Sequence, residues 1–293
     1  MDKHVRLASP AAAPSNERGI ALVIVLWVLA LLTVMSMTYS YFARIEAMTV
    51  RNAFETTQAR YAAEAGVQRT LWVLASPVLA TRWPANGAEH TFATADGMVR
   101  ISAIDESGFI NINRAGAEYL DGLFKAVGIE AGERRSVTAQ ILDWRDTDSI
   151  RNASGAEDSD YAGAGLSYTA KDAPFESVEE LLLLLAMSPS VYSKVEPFLT
   201  VYSSQSGINV AAAPREVLLA TPGISPEDVE AILTERAEST YSPENAAIRG
   251  SGTYRISVRA DLPSGGQYTL RAIVRIGVGE TPQFTVLNWK EAA

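Results

Sequence analysis

The spacing of hydrophobic and polar positions changes period several times along this chain. Residues 1–18 are polar and include Lys3, His4, Arg6 and Arg18. From Gly19 to Ala43 no charged residue occurs, and Ile20 to Leu32 is unbroken apolar sequence. At about 1.5 Å of rise per residue, such a helix is long enough to cross a hydrocarbon layer of ~30 Å. A secretory signal has a shorter apolar run and ends in a small-residue cleavage site. Here the helical pattern continues beyond Arg44. Arg51/Glu55 and Arg60/Glu64 are opposite charges four apart, as on a solvated helical face. Ala47, Val50, Phe54, Tyr61, Ala65 and Trp72 recur at helical steps and predict an apolar stripe that packs on a soluble body. No proline interrupts until Pro77, so one helix is predicted from Ile20 to Leu74. Gly66 within it costs about 1 kcal/mol against alanine, a loss that packing can offset.

Beyond Pro77 a turn-rich stretch (Pro84, Asn86, Gly87) precedes an alternating run, Met98 to Asp105, which reads as a strand. Three more strands are predicted at the far end, over Thr253–Ala260, Tyr268–Ile276 and Phe284–Asn288. Ser264-Gly265-Gly266 reads as the hairpin turn between the first two. The intervening residues, 107–250, have mainly helical patterning. The expected fold class is therefore α+β: a long N-terminal helix on an antiparallel sheet built from 44–106 and 251–293, interrupted by an all-helical insert.

The insert contains an internal echo. Gly108-Phe-Ile-Asn-Ile-Asn-Arg to Leu120 is followed by Val127-Gly128-Ile129 and a helix ending Ile141-Leu142-Asp143. Gly207-Ile-Asn-Val to Leu218 is followed by Pro222-Gly223-Ile224 and a helix carrying Ile232-Leu233. Each copy is a short helix, a Gly-Ile turn and a second helix, which looks like a helix-hairpin-helix (SAM-like) unit. Such units often hold DNA phosphates, which leaves a membrane-anchored DNA-uptake or DNA-binding protein as an alternative reading. Against it, Pro222-Gly223-Ile224-Ser225 lacks the second glycine common in DNA-binding versions. Glu227, Asp228 and Glu230 also put negative charge where phosphate would sit. A helical packing module is the favoured reading.

Composition narrows the classes further. The chain has 293 residues, 47% of them apolar, which is ample for a packed core. The net charge of −9 disfavours binding through nucleic-acid phosphates. The absence of cysteine excludes disulfides, thiolate zinc sites and cysteine nucleophiles. With His4 and His90 the only histidines, imidazole acid–base chemistry has few candidates, and no catalytic residue is assigned.

One cluster invites chemistry. Between residues 143 and 161 lie Asp143, Asp146, Asp148, Glu157, Asp158 and Asp160, six carboxylates against two arginines. Crowded hard oxygen ligands on a glycine-containing loop suit calcium, which takes six to eight oxygens in flexible geometry. A cation there would relieve their repulsion and fold the loop. The spacing is not that of an EF-hand. A solvated acidic loop and a catalytic carboxylate pair, as in a membrane-tethered hydrolase, are the competing readings.

A basic leader ending Arg18-Gly19, followed by a charge-free helix that runs on amphipathically, resembles the type IV pilins and pseudopilins. That resemblance implies cleavage by prepilin peptidase between Gly19 and Ile20 and methylation of the new amino group of Ile20. The leader is then 1–19 and the membrane-spanning part 20–43, in inner-membrane lipid. Basic residues before the span predict a cytoplasmic N-terminus and a periplasmic body. The fifth position after cleavage is Ile24, where most such proteins carry glutamate; an unpartnered carboxylate in lipid is costly, so its absence points to a subunit at a fibre end.

The resemblance sharpens with Asp143-Trp-x-Asp-x-Asp148, Gly155-Ala-Glu-Asp158, Ala173-Pro-Phe-x-Ser-Val-x-Glu-Leu181 and Ile208-Asn-Val…Ala213-Pro-x-Glu-Val-Leu218. Together these are similar to the K-type minor pseudopilins of type II secretion systems, over nearly the whole chain. Departures are Ala211-Ala212, where Asn-Thr is common, and Leu184-Leu185-Ala186-Met187 in place of a Gly-Met ending. The resemblance implies a non-enzymatic subunit of the bacterial inner membrane that binds calcium in the insert. It would cap the pseudopilus with I- and J-type partners and be placed to touch exported cargo.

Overall fold

The computed structural model describes residues 17–76, 78, 82–94, 97–205, 207–238, 250–277 and 283–291. The leader residues 1–16, including Lys3, His4 and Arg6, lie outside these, as do residues 239–249 near the end of the insert and 278–282 ahead of the last predicted strand. The chain divides into two compact units that part between Phe54 and Glu55.

The first unit consists, among the described residues, of the N-terminal part of helix α1, which runs Glu17–Leu74. From Ile20 onward this helix is long and apolar enough to cross a membrane, with mean hydropathy 2.8 in its most apolar window. Thr33, Thr38 and Thr49 turn their hydroxyls back onto the carbonyls of Leu29, Val34 and Ile45, which satisfies these polar groups within the helix.

The second unit begins with the rest of α1 and continues through strands β1 (Asn86–Thr94) and β2 (Gly97–Asp105). After a 3-10 turn over Glu106–Gly108 come β3 (Ile110–Asn111), α2 (Ala117–Ala126), α3 (Ala131–Arg145) and α4 (Asp158–Gly163). Then follow α5 (Pro189–Val195), β4 (Leu199–Thr200), α6 (Arg215–Ala220) and α7 (Pro226–Glu238). Strands β5 (Thr253–Asp261), β6 (Gln267–Ile276) and β7 (Phe284–Glu291) close the chain. The main sheet is antiparallel in the order β1-β2-β5-β6-β7. A small parallel pair, β3 with β4, belongs to the insert.

Strand β1 is a correction: Asn86 and Gly87 do not mark only a turn but open an edge strand, with a register shift between Asn86 and Glu89. A second correction concerns α1. Ala47, Val50, Phe54, Tyr61, Ala65 and Trp72 are all exposed. The face sunk into the sheet is instead Ala59, Ala63, Gly66, Val67, Thr70, Leu71 and Leu74. Ala63, Val67 and Leu71 form one core with Val99, Ile101, Ile256, Val258, Ala260, Leu270, Ala272 and Val274. Small residues let the helix axis approach closely. A Cβ at Gly66 would stand 2.7 Å from Val258 Cγ1 and 3.1 Å from Val99 Cγ1, so only glycine fits that depth. The Arg60/Glu64 pair falls as expected, with Arg60 Nε 2.8 Å from Glu64 on the solvated side.

The insert has its own core, centred on Ile110, Ile112, Leu120, Leu123, Phe124, Ile141, Leu181, Leu199 and Leu218. Its two sequence echoes have matching backbones. Asn111 Oδ1 accepts from Asn113 N–H at 2.8 Å, and Asn209 Oδ1 from Ala211 N–H at 3.1 Å. Each closes an Asx turn just ahead of a short helix. Gly128 and Gly223 both adopt positive φ, 78° and 85°, between α2 and α3 and between α6 and α7. The copies meet along α2 and α6, where a Cβ at Gly122 would lie 2.6 Å from Ala220 O.

Candidate metal centre

The acidic stretch begins on the last turn of α3. Asp143 is fully buried beside Trp144. Between them and solvent the chain leaves as a loop and returns at Gly155. A Cβ at Gly155 would lie 1.9 Å from Asp143 Oδ2, so the glycine lets the carboxylate rest on the returning backbone. Asp143 Oδ1 accepts hydrogen bonds from Asn152 N–H at 3.2 Å and Asn152 Nδ2 at 2.5 Å. The next residue, Arg145, points away: its guanidinium donates to Ile112 O, and to Ala115 O at 2.7 Å, tying the end of α3 to the first Ile-Asn segment.

Four buried carboxylate oxygens of the insert find no hydrogen-bond donor among the described residues: Asp143 Oδ2, Asp146 Oδ1, Glu157 Oε1 and Asp172 Oδ1. They belong together electrostatically. Glu157 is pushed up to about 7, first by burial and then by Asp143, Asp172 and Asp146. Asp146 is raised by burial and by Asp148, Asp143 and Asp172. Buried acceptors are normally satisfied, so four orphans in one neighbourhood call for a cationic partner. Among the described residues no three such side chains form a finished metal centre. All four are hard anionic oxygens, a donor type that fits calcium.

The six carboxylates singled out in the sequence are thus not equivalent. Asp143, Asp146 and Glu157 each keep a buried oxygen without a donor and interact electrostatically. Asp148 is exposed and its Oδ1 accepts from Ile150 N–H at 2.8 Å. Asp158 is exposed on the first turn of α4. Asp160 is otherwise engaged: its Oδ2 accepts from Glu157 N–H at 3.0 Å and its Oδ1 pairs with Arg151 at 2.9 Å. Those bonds hold it below the usual carboxylate range, the bond from Glu157 contributing most. Asp172 was not singled out. It sits at φ 51°, and its segment is pinned by Asn113, whose Oδ1 accepts from Phe175 N–H at 2.7 Å and whose Nδ2 donates to Phe175 O at 2.8 Å. A carboxylate immediately before Ala173-Pro174 was the available signal.

Beneath the acids lies an aromatic wall. Trp144 is 5.7 Å from Tyr161 and 6.1 Å from Phe175 between ring centroids. Tyr161 is fully buried and its hydroxyl is held in the neutral form by burial, by Tyr168 and by Asp143.

The raised carboxylates give a pH dependence with a definite sign. Glu157 takes up its proton more readily folded than unfolded, so cation-free protein is most stable below its unfolded value of 4.5 and loses that contribution as pH rises to about 7. The loss is on the order of 3 kcal/mol. Thermal melts in chelator across this range should show the decline, and Glu157→Gln should flatten it. A flat profile in the unsubstituted protein would remove the electrostatic argument.

The architecture described above is pilin-like: a long N-terminal helix, half of it apolar enough for a membrane and half sunk into an antiparallel sheet, with a helical domain inserted in the sheet. Within it, residues 95–204 match the family model for type II secretion system (T2SS) protein K. Proteins named type II secretion system protein K are similar to this chain. The one from Klebsiella pneumoniae is 26% identical over 231 aligned residues, covering 70% of each chain. The one from Pseudomonas aeruginosa is 24% identical over 304, covering 92% of this chain and 88% of its own. Among solved structures, the GspK-GspI-GspJ complex from the enterotoxigenic Escherichia coli type 2 secretion system contains a chain that superposes with TM-score 0.57 at 16% identity. The match covers 83% of this chain and 99% of that one. This chain is thus similar, in sequence and in fold, to the type II secretion K proteins.

Proposed function

We propose that this protein is a minor pseudopilin that assembles with I- and J-type minor pseudopilins to form and cap the tip of a type II secretion pseudopilus, for protein export across the outer membrane. No enzymatic step enters this reading. The observation that carries it is the two-faced helix α1. Its small-residue face is occupied by its own sheet, whereas Tyr61 and Trp72, three turns apart on the other face, are 65% and 73% exposed. An apolar stripe of that kind is what a bundle of neighbouring helices covers. The complex named for the structural relative, which joins a K chain to I and J chains, supports the choice of partners. The bulk of the insert supports a terminal position, since so wide a head hinders packing within a shaft.

In this reading the leader is removed between Gly19 and Ile20 by prepilin peptidase and Ile20 is methylated. The span sits in inner-membrane lipid with the body in the periplasm, where the insert can meet cargo. Calcium is held by Asp143, Asp146, Glu157 and Asp172, orders the loop through charge neutralisation, and performs no chemistry.

The test has two arms. Mass spectrometry of membrane-extracted protein should find a chain beginning at methylated Ile20; an intact Met1 or a start near Tyr41 would defeat the pilin reading. A photo-crosslinking amino acid at Trp72 should capture the I- or J-type subunits in cells. Capture of neither, with processing normal, rejects the partner assignment alone.

A further inference from the structure

The insert and the neck that leads into it at Glu106 meet the outer face of the sheet through three acid–base pairs of very different burial. Lys290 with Glu179 is the most exposed, with side chains 51% and 44% accessible. Arg271 with Glu196 is intermediate, at 29% and 22%. Arg255 with Glu106 is enclosed, at 8% and 0%. Solvated pairs tolerate many geometries and fix no angle. The enclosed one is different in kind.

Arg255 projects from β5 into the neck of the insert. Its Nε donates to Glu106 Oε1 at 2.9 Å and Nη1 to Pro197 O at 2.8 Å. Its Nη2 donates to Leu199 O at 2.8 Å, with Glu106 Oε2 at 3.4 Å. The guanidinium lies 3.7 Å over the Phe109 ring. These acceptors belong to both chain segments of the neck, since Leu199 pairs with Ile110 in the β3–β4 ladder. A planar fork with fixed donor directions sets orientation where a point charge would not.

We propose that Arg255 is the latch that sets the attitude of the insert on the sheet, making head and sheet one mechanical piece through which a load on the insert reaches β5. The role is one of positioning, independent of any bound ion. Without the latch, the head keeps its two covalent crossings and the more accessible Arg271–Glu196 and Lys290–Glu179 pairs, and domains joined by weak contacts tend to rock.

The chain has no cysteine, so Lys125→Cys on α2 and Thr91→Cys on β1 provide two unique spin-label sites in the full-length protein in nanodiscs. The informative variant is Glu106→Leu/Arg255→Met, which removes the fork without stranding a buried charge. Its inter-label distance distribution, by double electron–electron resonance, should broaden about twofold while the helical melt is retained. Arg271→Gln/Lys290→Gln should keep the original width. A folded double variant with the original distribution overturns the proposal, as does equal broadening in the surface control. Should the double variant not fold, Arg255→Lys keeps the charge and loses the fork, and is judged by the same two outcomes.

Discussion

Replacing Arg255 alone by alanine should lower the stability of the folded body by about 3–5 kcal/mol, because it leaves Glu106 charged and buried with no partner. Glu106 is fully buried in the intact protein, so its carboxylate would be left poorly hydrated and without its guanidinium partner. The carbonyls of Pro197 and Leu199 lose donors at the same stroke. At roughly 2–4 °C per kcal/mol for a body of this size, the melting midpoint should fall by about 6–20 °C. The paired apolar replacement of Glu106 and Arg255 provides the contrast. Removing both charges together is often close to neutral, so that variant should melt within a few degrees of the parent. A single substitution that melts like the double one would mean that Glu106 finds another partner and that the enclosure is incomplete.

Calcium should produce the second large effect. A ligand that binds only the native state at about 100 times its dissociation constant adds about 2.7 kcal/mol. That corresponds to a rise of roughly 5–11 °C in melting midpoint. Asp143→Asn should abolish the rise, since it removes the most buried of the four acids, while making the cation-free protein slightly more stable through reduced repulsion. Asp172→Asn should behave alike, although it is distant in sequence from the acidic stretch. Asp160→Asn should keep the response, because that carboxylate is already spoken for by Arg151 and the Glu157 amide. Terbium offers a direct readout, with Trp144 beside the cluster as the sensitiser. An unchanged midpoint at millimolar calcium, with no sensitised emission, would reject the site.

The contrast between Asp143 and Asp172 shows what the sequence could and could not tell. Strands β2, β5 and β6 were legible because every second residue facing α1 is apolar, even where the insert also covers the other face. Strand β1 was not, since as an edge strand it is nowhere fully buried and its apolar positions carry no period. The length of α1 was legible, but its inward face was misjudged. Hydrophobicity favoured Phe54, Tyr61 and Trp72, whereas close approach to the sheet selects small side chains such as Ala59, Ala63 and Gly66. The acidic stretch was visible as composition. That Asp172 joins the electrostatic neighbourhood of those acids depends on a segment pinned by Asn113 reaching across the insert to Phe175, a contact that no local pattern encodes.

Where the insert leaves and re-enters the sheet, its ends are pinched together. Asp105 pairs with Tyr254 across the ladder, and a Cβ at Gly250 would fall 1.7 Å from Asp105 Oδ2. This sets an order of events during folding. Glu106 and Arg255 are 149 residues apart in sequence, and closing so long a loop in an unstructured chain costs about 4 kcal/mol of entropy before any strand pairs. An insert that has already condensed brings its own ends together and removes most of that barrier. The central β2–β5 pair should therefore form late, after α2 to α7 have packed. Pulse-labelled hydrogen exchange during refolding should find amides of the insert protected before those of β2 and β5; simultaneous protection would show that sheet and head fold as one unit.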